Sequence, residues 1–191
     1  MSLVLILFIL ILFCVIFLRY GIEALENRYS NVSKKSYYIR EELPNSDETA
    51  DVIGKLELFI DKFVAYLDSK APNDKRVKRL KDRLYDVKIE ESPMEEGVSS
   101  YTINKGELIS MCVRHKKKNK NFHDYQTLLF VLIHELAHVA SISKGHNREF
   151  MTNFKFLLEH AVESKMYYAQ DYSNSPITYC GVKVTNNPYY N

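Results

Sequence analysis

This chain of 191 residues has no Trp, only three Cys, and a formal net charge of just +2. Each shortage excludes something. A nearly balanced charge gives no global electrostatic argument for nucleic acid as a partner. Cys14, Cys112 and Cys180 cannot make a disulfide framework, and no pair of them has zinc-finger spacing. The simpler expectation is free thiols in a reducing compartment, with a Cys112–Cys180 bridge as the rival reading. No internal repeat is present. There is also no Lys or Arg before the N-terminal apolar run and no small-x-small cleavage site after it, which argues against a secretory signal.

That run, Leu3 to Leu18, is unbroken Leu, Ile, Val and Phe with one Cys. It is slightly short for a hydrocarbon core of about 30 Å, and Met1, Ser2 and Tyr20 can extend it. The expectation is one N-terminal transmembrane helix over residues 1–20, an uncleaved anchor. Its basic flank lies on the C-terminal side (Arg19, Arg28, Lys34, Lys35), so the globular part is expected in the cytosol. Which membrane it enters is not legible.

Residues 21–45 are polar, of mixed charge, and end at Pro44-Asn45; they read as a linker. From there to the C-terminus, residues 46–191 are long enough for one domain with its own core. Ile53, Leu56, Ile60, Phe63, Val64 and Leu67 follow helical spacing, with Ser46 or Asp47 as cap and an end near Lys70. Val77, Leu80 and Leu84 mark a second, shorter helix after Asp74. Its many Lys and Arg read as a solvated face. The period then changes to two over Tyr85–Glu90, again over Tyr101–Lys105, and a third strand runs from Leu108 to Arg114. The last two read as a hairpin about Gly106. The basic run Arg114–Lys120 reads as a solvated loop, with lipid head groups as the functional alternative. Asp124 should cap a long helix over Tyr125–Ser143, and another runs from Arg148 to Lys165. Tyr167, Tyr168, Tyr172 and Tyr179 beyond it read as packing residues, one of which could point its hydroxyl into a site. The fold class expected is α+β, with a small sheet packed against one central helix.

The densest chemistry lies on that helix. His134-Glu135-Leu136-Ala137-His138 places two imidazoles four residues apart, hence on one face and one turn apart. Glu135 is rotated about 100° from His134. The preceding run Leu128–Ile133 is apolar, so this is a buried helix, where two His and a Glu without partners would be costly. A metal removes the conflict. Imidazole pairs at this spacing suit zinc, and Glu135 then stands where a general base is needed. Gly145 breaks the helix and His146 follows, the candidate third ligand. Glu149, Glu159, His160 and Glu163 remain rivals for that position. His115, His123 and His160 have no partner at ligand spacing.

This pattern, with His146 and then Phe150 opening the next helix, resembles the minimal zincins of the WLM and SprT-like group. It is most similar to the small metallopeptidase-like proteins encoded by large DNA viruses, over about Ser46 to the C-terminus. The resemblance implies a zincin-like fold, Zn²⁺ held by His134, His138 and His146, and peptide hydrolysis of a protein substrate with Glu135 as base. It also implies that an extended substrate lies along an edge strand, for which Tyr101–Lys105 is the candidate. The function expected is thus a membrane-anchored zinc metallopeptidase. The alternatives are a non-catalytic, zinc-stabilised membrane interaction module and a DNA-associated repair protease like the soluble relatives in that group. Oligomeric state is not legible.

Overall fold

The computed structural model describes residues 5, 6, 8, 25–116 and 121–190. Among them no helix is long and apolar enough to cross a membrane. The expected anchor lies outside the described residues, apart from Leu5, Ile6 and Phe8, which are helical and exposed.

The chain runs β1 (Leu25–Tyr29), β2 (Ser36–Arg40), α1 (Ser46–Lys70), α2 (Lys75–Leu84), β3 (Lys88–Glu91), β4 (Tyr101–Ile103), β5 (Leu108–Met111), α3 (Tyr125–Ala140), α4 (Arg148–Glu163), β6 (Ile177–Tyr179) and β7 (Val182–Val184). The first five strands form one mixed sheet in the order β1-β2-β3-β5-β4, and β6-β7 is a separate hairpin. This is the α+β architecture expected. β4 is an edge strand, antiparallel to β5 with Thr102 opposite Ile109, while β3 runs parallel to β5.

The stretch read as a linker corrects that reading, because it carries β1 and β2. Tyr37 and Ile39 point inward, 5% and 0% exposed, between outward Ser36 and Tyr38. β2 pairs with β3 through Tyr38 opposite Glu90. The Tyr37 hydroxyl donates to Glu57 on α1, whose other oxygen accepts from Lys35 at 2.9 Å. Gly54 lets the hairpin approach: a Cβ there would lie 2.6 Å from Ser30 Oγ. The polar residues that suggest a linker are the outer face and helix contacts of a two-strand extension.

α1 packs Ile53, Leu56, Phe63 and Leu67 with no exposure. Its N-cap is Asn45, whose left-handed backbone lets its carbonyl accept from both the N–H and the hydroxyl of Thr49 at 2.9 Å; neither Ser46 nor Asp47 caps it. α3 is buried on nearly every side, with Leu129, Leu132, Ile133, Leu136, Ala137 and Val139 at 0%. Each such Leu or Ile contributes about 1.5–3 kcal/mol from burial alone. Asp124 caps α3 as expected, accepting from the N–H groups of Gln126 and Thr127.

The C-terminal end of α3 corrects the reading of α2 as a solvated cationic face. Arg79 Nε donates to the Ala140 carbonyl, and Arg83 to the carbonyls of Val139 and Ser141. Lys105, in the β4–β5 turn, donates to those of His138 and Ser143. Three cations thus serve carbonyls that no helical N–H can reach, at the negative end of the helix dipole. The basic loop is corrected too. Arg114 is buried, with Nε 2.9 Å from Glu91 Oε1, an ion pair rather than an aligned hydrogen bond. It also donates to the Pro44 carbonyl, while Lys116 donates to the carbonyls of Glu95 and Val98. Residues 117–120 lie outside the described residues.

A bridge joins Cys112 to Cys180, against the expectation of free thiols. The two residues are 68 apart in sequence. The ends of β5 and of β6 bring them together, a pairing that no sequence spacing encodes.

Candidate metal centre and cleft

His134 and His138 project from one face of α3, and His146 reaches them from the loop between α3 and α4. Nε2 of His146 lies 3.0 Å from Nε2 of His134 and 3.1 Å from that of His138. The three ligand atoms all fall within 4.8 Å of one another. A tetrahedral ion with Zn–N bonds of about 2.0–2.1 Å separates its nitrogens by about 3.3 Å, so the spacing fits zinc. Burial and the neighbouring imidazoles push His134 down to about 3 and His138 down to about 4. Both rings are therefore neutral with lone pairs available, which is the form a metal requires.

Two devices hold this arrangement. One is Phe150 at the start of α4, 1% exposed, whose ring centroid lies 4.3, 4.7 and 4.8 Å from those of His138, His146 and His134. The other is the loop carrying His146. Asn147 caps α4 by accepting from the Phe150 N–H and donates to Ser143 Oγ. Glu149 accepts from the N–H groups of Ile142 and Ser143 at 2.8 and 2.9 Å, and these bonds hold its carboxyl down to about 2. Gly145, at φ +76°, supplies the left-handed turn before His146.

The rivals for the third position are thereby placed elsewhere. Glu149 ties down the loop, His160 turns its ring to the Phe156 carbonyl, and Glu163 pairs with Lys70 on the surface. Glu159 joins no candidate metal cluster among the described residues.

Glu135 is 3% exposed yet lines the same cleft as the imidazoles. Its Oε2 accepts a hydrogen bond from Thr102 Oγ1 at 2.8 Å. Burial pushes its carboxyl up to about 7, and the Thr102 hydroxyl pulls in the opposite direction. A carboxyl poised there exchanges protons near neutral pH. Thr102 belongs to edge strand β4, so that edge and the Glu135 carboxyl are directly linked. Sequence gave no sign of that contact beyond the period-two pattern of the strand.

The cleft encloses about 800 Å³ between β4, α3, the His146 loop, the start of α4 and the β6–β7 hairpin. Phe130, Phe154, Val182 and Val184 make it largely apolar next to the imidazoles. Of the four candidate tyrosines, only Tyr179 borders it; Tyr167 and Tyr172 are core, and Tyr168 is exposed. The Tyr179 hydroxyl shares a 2.5 Å hydrogen bond with Ser100 Oγ, which itself accepts from the Cys112 N–H.

Comparison with known proteins gives three findings. The model of the family described as WLM domain matches residues 77–189, from α2 to the C-terminal turn. The chain is 29% identical over 163 residues to an uncharacterized protein of Acanthamoeba polyphaga mimivirus, covering 81% of this chain and 80% of that one. An uncharacterized protein of Invertebrate iridescent virus 6 is 41% identical over 78 residues, or 40% of this chain and 43% of the other. Among solved structures, Wss1 of Saccharomyces cerevisiae superposes with a TM-score of 0.49 at 18% identity, over 67% of this chain and 88% of that one.

Proposed function

This chain belongs to the WLM family, and on that premise we propose that it is a zinc-dependent metallopeptidase. His134, His138 and His146 hold the metal and Glu135 is the general base. The observation that carries the reading is the convergence of three imidazole Nε2 atoms at 3.0–3.1 Å beside a carboxyl that shares their cleft.

Zinc held there supplies a Lewis acid that polarises the scissile carbonyl and acidifies water. The chain's own groups do the rest. β4 offers its free edge to an extended peptide, which adds as a further strand. Glu135 takes a proton from water and delivers it to the leaving amine. Thr102 holds the carboxylate in place, and the apolar wall from Phe130 to Val184 excludes solvent from the reacting bond. A non-catalytic zinc module is less well supported, since these imidazoles open onto a cleft that also holds a buried carboxyl, and a purely structural site has no need of either. No observation favours a DNA-associated substrate.

The substrate is a peptide or protein. We place the catalytic domain from Leu25 onward and a single-pass tether at residues 1–20, with the domain on the cytosolic side. The tether and its orientation rest on the apolar run Leu3–Leu18 and its basic flank alone. The Cys112–Cys180 bridge withdraws the supporting argument from unpaired thiols.

The test is to purify the chain, determine bound metal by elemental analysis, and assay casein and self-cleavage against Glu135→Gln. The expected result is equal zinc in both and hydrolysis lost by about 10²–10⁴-fold in the variant. Undiminished hydrolysis in Glu135→Gln would refute the assignment.

A further inference from the structure

A second cluster of ligand-bearing side chains lies away from the cleft, at the N-terminal approach to α3. Cys112 directly follows β5, His123 immediately precedes the Asp124 cap, and Cys180 sits in the β6–β7 turn at φ +46°. All three are buried, at 1%, 5% and 4% exposed, and their ligand atoms fall within 4.8 Å of one another. Nothing in the proposed peptidase uses them.

The imidazole of His123 is the informative member. One ring nitrogen, Nε2, lies 3.3 Å from Cys180 Sγ. The ring also hydrogen-bonds the carbonyl of Arg114, and burial keeps it neutral. A neutral imidazole has one N–H and one lone pair. The tautomer sets whether Nε2 offers the sulfur its N–H or its lone pair. In the second form a buried imidazole nitrogen faces sulfur within a cluster of two cysteines, as the histidine of a Cys/His metal site does.

We propose that the Cys112–Cys180 bridge is one of two exclusive states of this cluster, and that its dithiol state binds a thiophilic divalent cation of the zinc class through Cys112, His123 and Cys180. A thiol reductant opens the bridge: two external thiols are oxidised to a disulfide as Cys112 and Cys180 gain one hydrogen each. Cation binding then releases both thiol protons, leaving two thiolates and one neutral imidazole on the metal. Two soft sulfurs and an imidazole suit Zn²⁺ better than hard cations. His115 packs its ring against that of His123, centroids 3.8 Å apart. In either state the cluster fastens the β6–β7 turn to the end of β5. Tyr179, next to Cys180, therefore keeps its place in the cleft wall in reducing and oxidising surroundings alike. The metal here is structural and independent of the peptidase reading.

The experiment uses the full chain with Cys14→Ser, expressed and purified under reductant, stripped of metal and titrated with Co²⁺. The reduced protein is expected to bind about two equivalents. One of them should give the thiolate-to-cobalt charge-transfer absorption that a site of imidazoles cannot produce. The same chain oxidised to the bridge should bind about one equivalent and lack that absorption. Cys180→Ser should lose the band and one equivalent, whereas His134→Ala should lose the other equivalent and keep the band, so failure of the peptidase site reads differently from failure of this one. Should the serine variant not fold, the reduced and oxidised forms of the parent chain decide the matter. The proposal is overturned if the reduced chain, with both thiols titratable, shows no charge-transfer band, or if the bridge stays closed throughout expression and purification under reductant.

Discussion

The two ends of α3 carry two clusters of three metal-competent side chains, and they differ in access rather than in donor number. His134, His138 and His146 open onto a cleft, and His146 is exposed. Cys112, His123 and Cys180 are sealed in the core. A cluster that must admit a substrate keeps a side open and sets a carboxyl beside it. One that only fastens elements together closes over its donors and has no base at hand. The same helix serves both because its apolar length, Leu128–Ile133, separates them.

The largest expected effect that sharpens this contrast comes from His146. His146→Ala removes one of three ligands at the open end and should weaken zinc binding there by more than about 100-fold, the upper end of what loss of a mere supporting partner produces. His123→Ala should leave zinc in the cleft and hydrolysis intact. Elemental analysis after dialysis, with hydrolysis as a second readout, checks both. Equal zinc loss in the two variants, measured on the bridged chain in which only the cleft is expected to hold metal, would mean that the ends of α3 do not act separately.

The next effect concerns pH. His134 and His138 lie at about 3 and about 4 instead of the ordinary 6.5, through burial first, then through His138 and His146 for the one and His146 and Lys105 for the other. Protons compete with metal only below a ligand's own pKa. Acid should therefore leave the two helix imidazoles free to hold metal as pH falls through 6.5 and protonate them only on approach to about 4. Proton resonances of the metal-free rings, followed from pH 7 to 5, should stay at their neutral positions for both residues. Titration of either near 6.5 would show that the rings are not held dry and neutral.

How much of this was legible follows the range of the interactions. α3 could be read almost whole, because an N-cap, an apolar run and an i, i+4 histidine pair are all local. His146 could be nominated because Gly145 marks the turn before it, but excluding Glu149 required seeing its carboxylate spent on the N–H groups of Ile142 and Ser143. The β1–β2 hairpin was not legible. Its two buried hydrophobic side chains are Tyr37 and Ile39, and it is held by Glu57 on α1 and by pairing with β3, both distant in sequence. Arg79 and Arg83 read as solvated charges because nothing local says that α2 ends against the carboxyl terminus of α3. Cys112 and Cys180 read as free for the same reason.

Thr102 offers a smaller test at the open end. Thr102→Val keeps the branched shape that suits edge strand β4 and removes the hydroxyl on Glu135. A hydrogen bond to a charged carboxylate contributes about 1.5–3 kcal/mol, less where solvent can replace it, so a drop of about tenfold in kcat is expected with KM little changed. Thr102→Ser should restore most of it. A change confined to KM would place Thr102 in substrate binding instead of in positioning the base.

The smallest effect probes how α3 is held between its two clusters. Arg83 donates to the carbonyls of Val139 and Ser141 just past His138, and Arg79 donates to the one between them, at Ala140. Arg83→Met keeps the aliphatic stem and removes the guanidinium, leaving two carbonyls at a helix C-terminus without that partner. One such charged contact at a helix end contributes about 0.3–1 kcal/mol when exposed and about 2 kcal/mol in partly buried geometry. Arg83 is partly buried, so a loss of about 1 kcal/mol in urea unfolding is expected, with zinc affinity in the cleft reduced by no more than about tenfold. A loss well above that in zinc affinity, with unfolding unchanged, would mean that Arg83 sets the orientation of His138 instead of merely finishing the helix. The cation group on α2 and the β4–β5 turn would then belong to the open end's chemistry, with no counterpart at the sealed end, where Asp124 alone caps the helix.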